Sequence, residues 1–449
     1  MKKEQSKFSN WLRNSITARM LVVGFLLLVL LIPLGFVESL IQERAYRQQD
    51  VIKEINEKWG NEVVISGPIL KIPYKTYKEN SVFNKETKKY EKKTDVIVKY
   101  VFLFPDELDI KSDIDSKSLG RGIYESVVYT ADMNFTGHFP KIDFSINDIK
   151  EKDILWDKVS ILIKTSNLKG IRNTLKVNVN SQSLLMTPKY NQAYLNTLQS
   201  AYIKDLSKVS QNTIPFSFNL KINGSEALKF IPIGKETTAS MESNWRSPSF
   251  DGNFLPEDDS KEINSEGFKA SWKVLQINRQ FQQSFFGEIP SLIDYSFGTK
   301  LIIPVDEFQK SERTAKYGFM VIGLTLLVFL LIQIVSNIYI HPFQYVMIGL
   351  ALIMFYTLLI SISEHSNFLT AYSIAGASVL GLITLYSRAI LKGFKFPLMI
   401  AVSLGGLYGF IYVIIQLENY ALLVGSIGLF VILGIVMFVS RKIDWGNEN

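Results

Sequence analysis

Three ionisable residues beside apolar segments are the strongest candidates for chemistry in this sequence. Glu364 and His365 are adjacent at the end of one apolar run, and Glu418 follows a later one. Ionisable groups close to hydrocarbon are candidates for function, because charge is costly there and needs a partner. We therefore predict a membrane polar site formed by Glu364, His365 and Glu418, with helix capping as the alternative.

A second group of candidates lies in an aromatic-rich stretch at 241–272, where aromatic residues alternate with Asn, Ser, Pro, Asp and Gly. Aromatic rings held between turn residues can form a binding surface by stacking. The alternative is that these rings anchor a long loop to a core. The predicted interaction surface consists of Asn244, Trp245, Phe250, Phe254, Phe268 and Trp272.

The sequence contains no recognisable catalytic motif. P-loop, dinucleotide-binding, hydrolase-elbow and HExxH patterns are all missing. The chain has no cysteine and three histidines, which excludes disulfides, zinc–thiolate sites and iron–sulfur clusters. We predict no catalytic, metal-binding or cofactor-binding residues, no cofactor, and a protein that is not an enzyme.

Six apolar segments are long enough to cross a bilayer, since 18 helical residues rise about 27 Å. The first segment, at 20–37, predicts an uncleaved anchor helix. A cleaved signal peptide is the alternative, but no small-residue cleavage site follows the run. The other five predict a transmembrane bundle within 313–440, at 317–335, 343–362, 368–385, 397–416 and 421–440.

Basic residues mark one side of these segments. They precede the segment at 20–37, lie between the segments at 368–385 and 397–416, and follow the segment at 421–440. They are Lys2, Lys3, Lys7, Arg13, Arg19, Arg388, Lys392, Lys395, Arg441 and Lys442. Because Lys and Arg stay on the cytoplasmic side, 1–19 and 441–449 are predicted to be cytoplasmic. His341 and Pro342 then form a cytoplasmic turn. The net charge of +7 fits this bias, and without a nucleic-acid motif no nucleic-acid partner is predicted.

The region 61–312 has the character of β structure, with short runs of Val, Ile, Phe and Tyr broken by Gly, Pro, Asn and Asp. We predict a large all-β, sandwich-like domain outside the cytoplasm, preceded by a helical stalk at 38–60. Within 188–206 one short helix is predicted from four residues on one helical face: Tyr190, Ala193, Tyr194 and Leu198.

Charged residues lie where this domain joins the membrane segments. We predict that they couple the domain to the membrane: Glu43, Arg44, Arg47, Arg313 and Lys316. Three functions stay open on the residues alone. The first is a protein that binds or senses something with its β domain. The second is a transporter or lipid-handling protein that uses the helices, and the third is a glycan- or lipid-acting enzyme whose carboxylates meet only on folding.

Short motifs along nearly the whole chain resemble one known family. They include Ser243-Asn244-Trp245, Phe254-Leu255-Pro256, Arg313-Thr314-Ala315-Lys316-Tyr317, His341-Pro342-Phe343-Gln344-Tyr345, Ser363-Glu364-His365 and Ile443-Asp444-Trp445. Together they resemble the CreD family of bacterial inner-membrane proteins, also called cell envelope integrity protein CreD.

The resemblance implies a multi-pass protein of the bacterial inner (plasma) membrane whose large domain is periplasmic. It also implies a role in envelope integrity and the envelope stress response. No catalytic residue follows from it. The expected partners are membrane lipid and, as candidates, peptidoglycan, lipopolysaccharide or another envelope protein.

Overall fold

The computed structural model describes residues 15–84, 89–142, 149–190, 194–206, 212–303, 307–336, 338–391, 393–417 and 420–441. The chain divides into two compact units. A helical unit comprises 1–49 and 305–449, and a β unit comprises 50–304.

Seven α-helices are described. They are α1 (Ile16–Trp59), α2 (Glu307–Lys316), α3 (Gly318–Ser336), α4 (Pro342–Ser363), α5 (Phe368–Ile390), α6 (Lys395–Gln416) and α7 (Ala421–Ser440). All except α2 are long and apolar enough to cross a membrane. Six such helices together with a large β unit confirm the predicted fold class.

Local sequence sets the helix ends. Helix α1 is followed by Gly60, whose φ of +121° suits glycine. His341 caps α4, because its Nδ1 accepts a hydrogen bond of 3.2 Å from the Phe343 amide, and Pro342 fills the first helical position. Asn367 caps α5 by accepting from the Thr370 amide at 2.9 Å.

Sixteen strands lie in the described part of the β unit: β1 (Val63–Asn84), β2 (Lys89–Leu103), β3 (Glu107–Arg121), β4 (Tyr124–Phe139), β5 (Ser160–Thr165), β6 (Lys176–Val179), β7 (Gln182–Lys189), β8 (Asn196–Ser200), β9 (Ile214–Ser225), β10 (Ala227–Phe230), β11 (Glu236–Ser243), β12 (Pro248–Gly252), β13 (Glu262–Ile263), β14 (Phe268–Leu275), β15 (Ser284–Phe286) and β16 (Phe297–Leu301). Their order is β12-β16-β10-β1-β5-β8-β7-β6-β9-β4-β3-β11-β14-β13, with β2 added beside β1 and β15 beside β2.

Most neighbouring strands are antiparallel, but β1 pairs with β10, and β3 with β11, in parallel. The two halves of the strand order pack face to face through aromatic side chains. The ring centroids of Phe135 on β4 and Phe230 on β10 are 6.0 Å apart, and those of Trp272 on β14 and Phe297 on β16 are 5.7 Å apart. This packing makes the unit sandwich-like.

The helix predicted within 188–206 is wrong where the chain is described. Residues 196–200 form β8, which pairs with β5 and β7. Leu198 is buried, whereas Tyr190 and Tyr194 are exposed, and Ala193 lies outside the described residues. Pairing on both edges satisfies the backbone of β8, and this outweighs the local helical spacing.

Candidate functional site

An ion pair joins the anchor helix to the bundle. The guanidinium of Arg44 on α1 lies 2.8 Å from the carboxylate of Glu364, the residue that follows α4. The two side chains are 34% and 17% exposed. A charge-assisted hydrogen bond that is partly shielded from water is stronger than a fully exposed pair. Two residues from separate predicted groups therefore form one contact.

Helix α2 packs on the same unit, against α4, α5 and α6. Its buried face consists of Ser311, Thr314 and Ala315, each at most 1% exposed. Small side chains allow helices to approach closely. The Lys310 ammonium lies 5.7 Å from the ring centroid of Phe368, the first residue of α5. One short turn separates Glu364 from Phe368. We call the region around Lys310, Glu364 and Phe368 the linker end of the bundle.

Aromatic side chains fill the bundle core that begins at Phe368. The Phe368 and Tyr372 ring centroids are 5.5 Å apart, and those of Tyr372 and Tyr412 are 5.3 Å apart. The Tyr372 hydroxyl donates to the Tyr408 carbonyl at 2.7 Å. Phe355 stacks on Tyr408 with centroids 4.6 Å apart. The linker end thus rests on closely packed rings.

The remaining predicted coupling residues do not bridge helices. Glu43 and Arg47 form a loose pair of 3.9 Å along α1, and both are exposed. Lys316 pairs at 3.0 Å with the glutamate four residues earlier on α2, and Arg313 is exposed. Of the five predicted residues, only Arg44 makes an ion pair between helices in the described part of the chain.

Two members of the predicted membrane polar site, Glu364 and His365, are among the described residues. His365 is exposed, and its imidazole has no hydrogen bond or ion pair with the described residues. Glu418 lies outside the described residues. Glu364 occupies the C-cap position of α4, where its amide donates to the Ile360 carbonyl at 3.2 Å. Helix capping, the alternative, and the ion pair with Arg44 are both present at this residue.

The β unit holds the end of α1. Asn56 and Ser126 are 4% and 2% exposed, and the Ser126 hydroxyl donates to Asn56 Oδ1 at 2.6 Å. Glu54 forms an ion pair with Arg121. A polar pair buried this deeply fixes the helix end, because breaking it would leave an unsatisfied group. No sequence signal marked these residues, since they are far apart in the chain.

Residues 244–247 hold the chain where it leaves the β unit. The Trp245 indole donates to the Ile302 carbonyl at 2.9 Å, and the Ile302 amide donates to the Ser247 carbonyl at 3.1 Å. Asn244 Oδ1 accepts from the Ser116 amide at 2.8 Å, and Asn244 Nδ2 donates to the Ser116 carbonyl at 3.0 Å. Both predicted interaction residues are therefore engaged within the chain.

The other aromatic residues of the predicted interaction surface belong to the core. Phe268 and Trp272 are 2% and 1% exposed. Phe250 meets Phe268 edge-on at 6.0 Å, and Phe254 is half-buried against the core. The prediction of an exposed aromatic surface is wrong for Phe268 and Trp272, because no ligand reaches a buried ring. The alternative, anchoring to the core, describes them.

A polar hollow of about 850 Å³ opens on the β unit. Two of its carboxylates are engaged with basic side chains: Glu107 lies 3.4 Å from His138 Nδ1, and Glu236 lies 2.7 Å from Lys273 Nζ. Among the described residues no group of three His, Asp or Glu side chains could hold a metal ion.

The same hollow is lined by Arg279, which is only 5% exposed. Its Nη2 donates to the carbonyls of Ile233 and Gly234 at 3.1 and 3.0 Å, and its Nη1 to the Phe281 carbonyl at 3.0 Å. Burial lowers the pKa of Arg279 to about 10. The arginine, which also donates to the Gln283 side chain, fixes two loops, and sequence reasoning missed it because most of its partners are main-chain atoms.

A second missed group is a network of ion pairs on the β unit. The Lys229 ammonium lies 2.7 Å from Glu62 and 2.8 Å from Asp251. Lys300 approaches Asp251 at 3.0 Å. The hydrogen bonds from Lys229 and then Lys300 lower the pKa of Asp251 to about 2. The network joins the segment before β1 to β10, β12 and β16.

Known proteins match this chain over almost its full length. Residues 15–446 match the family model described as Inner membrane protein CreD. The Inner membrane protein CreD of Escherichia coli strain K12 is 29% identical over 425 residues, which cover 93% of this chain and 91% of that relative. The resemblance found in the sequence motifs is confirmed, and the chain belongs to the CreD family of inner membrane proteins.

Proposed function

We propose that the protein is a non-enzymatic inner-membrane protein that supports cell envelope integrity and the envelope stress response. In this proposal the β unit is periplasmic and binds or senses an envelope component, and the helices carry its state to the membrane. The basic residues at the predicted cytoplasmic loops favour this orientation. The observation that carries the proposal is the ion pair of Arg44 with Glu364.

The physical argument rests on where the chain is held. Helix α1 is continuous from Ile16 to Trp59, so Arg44 and Asn56 lie on one hydrogen-bonded helix. In the helical unit Arg44 is fixed by Glu364, and in the β unit Asn56 is fixed by Ser126. The returning chain is fixed as well, at Ile302 and along α2. In this proposal, binding at the β unit acts on the helical unit through these two chain segments.

Exchanging the two charges tests the proposal. In a strain that lacks the native gene, Arg44→Glu and Glu364→Arg should each raise envelope permeability to a dye and to detergent. The double variant should restore the barrier, because the pair is rebuilt with opposite polarity. Membrane fractions show whether each variant still inserts and accumulates.

The matched control is the exposed pair on the same helix. Arg47→Glu and Glu43→Arg should each leave permeability unchanged, since that pair is loose and solvated. The proposal fails if the Arg44 and Glu364 single variants accumulate normally and keep the barrier intact. It also fails if the double variant is as defective as the single ones.

A second candidate function, lipid handling by the bundle, is favoured by an apolar hollow of about 430 Å³ among α3, α6 and α7. None of its lining side chains is ionisable, so it suits a hydrocarbon chain better than a polar solute. The buried hydroxyl of Thr325 faces this hollow without a partner in the described chain. Filling the hollow by Val328→Trp should remove co-purifying lipid, measured by mass spectrometry, and unchanged lipid content would exclude this function.

A further inference from the structure

The β1–β2 hairpin extends beyond the rest of its sheet. The two strands pair without interruption from Leu70 opposite Leu103 to Asn84 opposite Lys89. Strand β5 accompanies β1 only as far as Lys71, and β15 accompanies β2 only as far as Val101. We call residues 75–84 and 89–100 the arm. Within the described chain, its two strands pair with each other along this length. Where the arm begins, the Gly287 amide also donates to the Tyr100 carbonyl at 2.9 Å, and the Tyr77 hydroxyl donates to Asp153 Oδ1 at 2.8 Å.

The arm is amphipathic. Partners directly opposite in an antiparallel pair point to the same face. Tyr77 is opposite Val96, and Lys75 is opposite Val98, so the alternation of β2 gives this face five exposed apolar residues. They are Tyr77, Tyr90, Val96, Val98 and Tyr100, with exposed fractions of 56%, 74%, 55%, 45% and 37%. We call this the tyrosine–valine face.

The tyrosine–valine face also carries two lysines and one acid, and the first of them, Lys75, is exposed. Glu79 and Lys92 lie on it and pair with each other at 3.2 Å. The opposite face carries three exposed lysines, Lys78, Lys93 and Lys99, and one acid, Asp95, which accepts from Asn80 Nδ2 at 2.7 Å. The arm therefore has one face with five exposed apolar residues and one face with three exposed lysines, which also carries two exposed apolar residues, Val82 and Ile97.

A two-stranded hairpin with an exposed apolar face is only marginally stable in water. Contiguous exposed apolar surface usually marks a contact site. Tyrosine is enriched where a membrane meets water, because its ring is apolar and its hydroxyl is polar. Lysines within a Debye length of an anionic surface are attracted to it. These four properties point to the same partner.

We propose that the arm lies on a bilayer that contains anionic lipid, with the tyrosine–valine face in the interface. The lysines of the other face supply the preference for anionic headgroups. This inference names one component for the sensing role proposed above and rests on that role. It is tested separately, because lipid contact at the arm is measured without reference to Arg44 and Glu364.

The chain has no cysteine, so one introduced thiol can carry a fluorescent probe. Val96→Cys and Ile97→Cys are matched positions, adjacent in sequence and on opposite faces, with exposed fractions of 55% and 41%. Each full-length variant is labelled with an environment-sensitive dye and placed in nanodiscs, and vesicles of the same composition are added. One lipid composition contains phosphatidylglycerol and the other contains only phosphatidylcholine.

The expected result is a blue shift of the probe at 96, but not at 97, in the presence of phosphatidylglycerol. High salt should reverse it. Lys78→Glu with Lys93→Glu should abolish the shift while circular dichroism stays unchanged. The inference is overturned if the two positions respond alike, or if the shift is the same without phosphatidylglycerol. A shift that follows protein concentration instead of lipid also overturns it, in favour of pairing between two copies of the chain.

Discussion

Replacing Trp245 by phenylalanine should loosen the chain where it leaves the β unit. The substitution keeps an aromatic ring and removes the hydrogen bond of 2.9 Å from the indole to the Ile302 carbonyl. A net hydrogen bond contributes about 1 kcal/mol, which corresponds to roughly a fivefold change in an opening equilibrium. The Ile302 amide is held by the Ser247 carbonyl in the same segment, so its exchange should become about fivefold faster.

Hydrogen–deuterium exchange of full-length protein, read on peptides that cover 297–303, measures this effect. Trp272→Phe is the control. Trp272 is 1% exposed and its indole nitrogen has no partner among the described residues. That change should cost about 1–2 kcal/mol through lost volume, and it should speed exchange throughout the β core. Unchanged exchange at Ile302 in Trp245→Phe would refute the claim that the indole holds this segment.

Three further changes test other parts of the β unit. Asp251 has its pKa lowered to about 2, so its contribution is present above about pH 4 and lost as the pH falls towards 2. The full shift is worth about 2.4 kcal/mol, and the 35% exposure of the side chain reduces this to about 1 kcal/mol. In urea titrations, Asp251→Asn should lower the free energy of unfolding by this amount at pH 7 and leave it unchanged at pH 2. A loss that is independent of pH would contradict the assignment. Asn56→Ala should lower the free energy of unfolding by about 1–3 kcal/mol because the buried Ser126 hydroxyl loses its acceptor. If the effects of Asn56→Ala and Ser126→Ala simply add in a double-mutant cycle, the two side chains are not coupled. In thermal melts, Gly267→Ala should cost about 2–4 kcal/mol of stability, since φ is +150° and a Cβ would overlap the Ser243 carbonyl. Gly120→Ala is the control and should be nearly neutral, because a Cβ there meets nothing closer than 3.8 Å.

Sequence reasoning identified the membrane helices because hydrocarbon imposes long apolar runs that few other structures need. The strands of the β unit were harder to predict from the sequence. The alternation of Phe268, Ala270, Trp272 and Val274 already had the period of a buried strand, and β14 buries all four. That signal was available, but the surrounding turn residues left two interpretations open, an exposed binding surface and rings that anchor a loop to the core.

The contacts at the candidate site could not be read from sequence in the same way. Arg44 and Glu364 were both singled out, yet they are 320 positions apart, and only the packing of α1 with the bundle brings them to 2.8 Å. Asn56 and Ser126, or Lys229 and Asp251, gave no local signal. Side-chain pairs of this kind depend on strand order and register, which single-sequence patterns leave open.

The parallel pairings of β1 with β10 and of β3 with β11 affect how the β unit folds during synthesis. Val63 must find Leu228, and Glu107 must find Glu236, so the first strands leave the ribosome long before their neighbours exist. Pairings this distant in sequence form slowly. The newly made N-terminal half is therefore an open sheet with exposed strand edges while the anchor helix is already available for insertion. Folding of the β unit is completed only after β16 has been synthesised, and until then chaperones and proteases compete for the unfinished sheet.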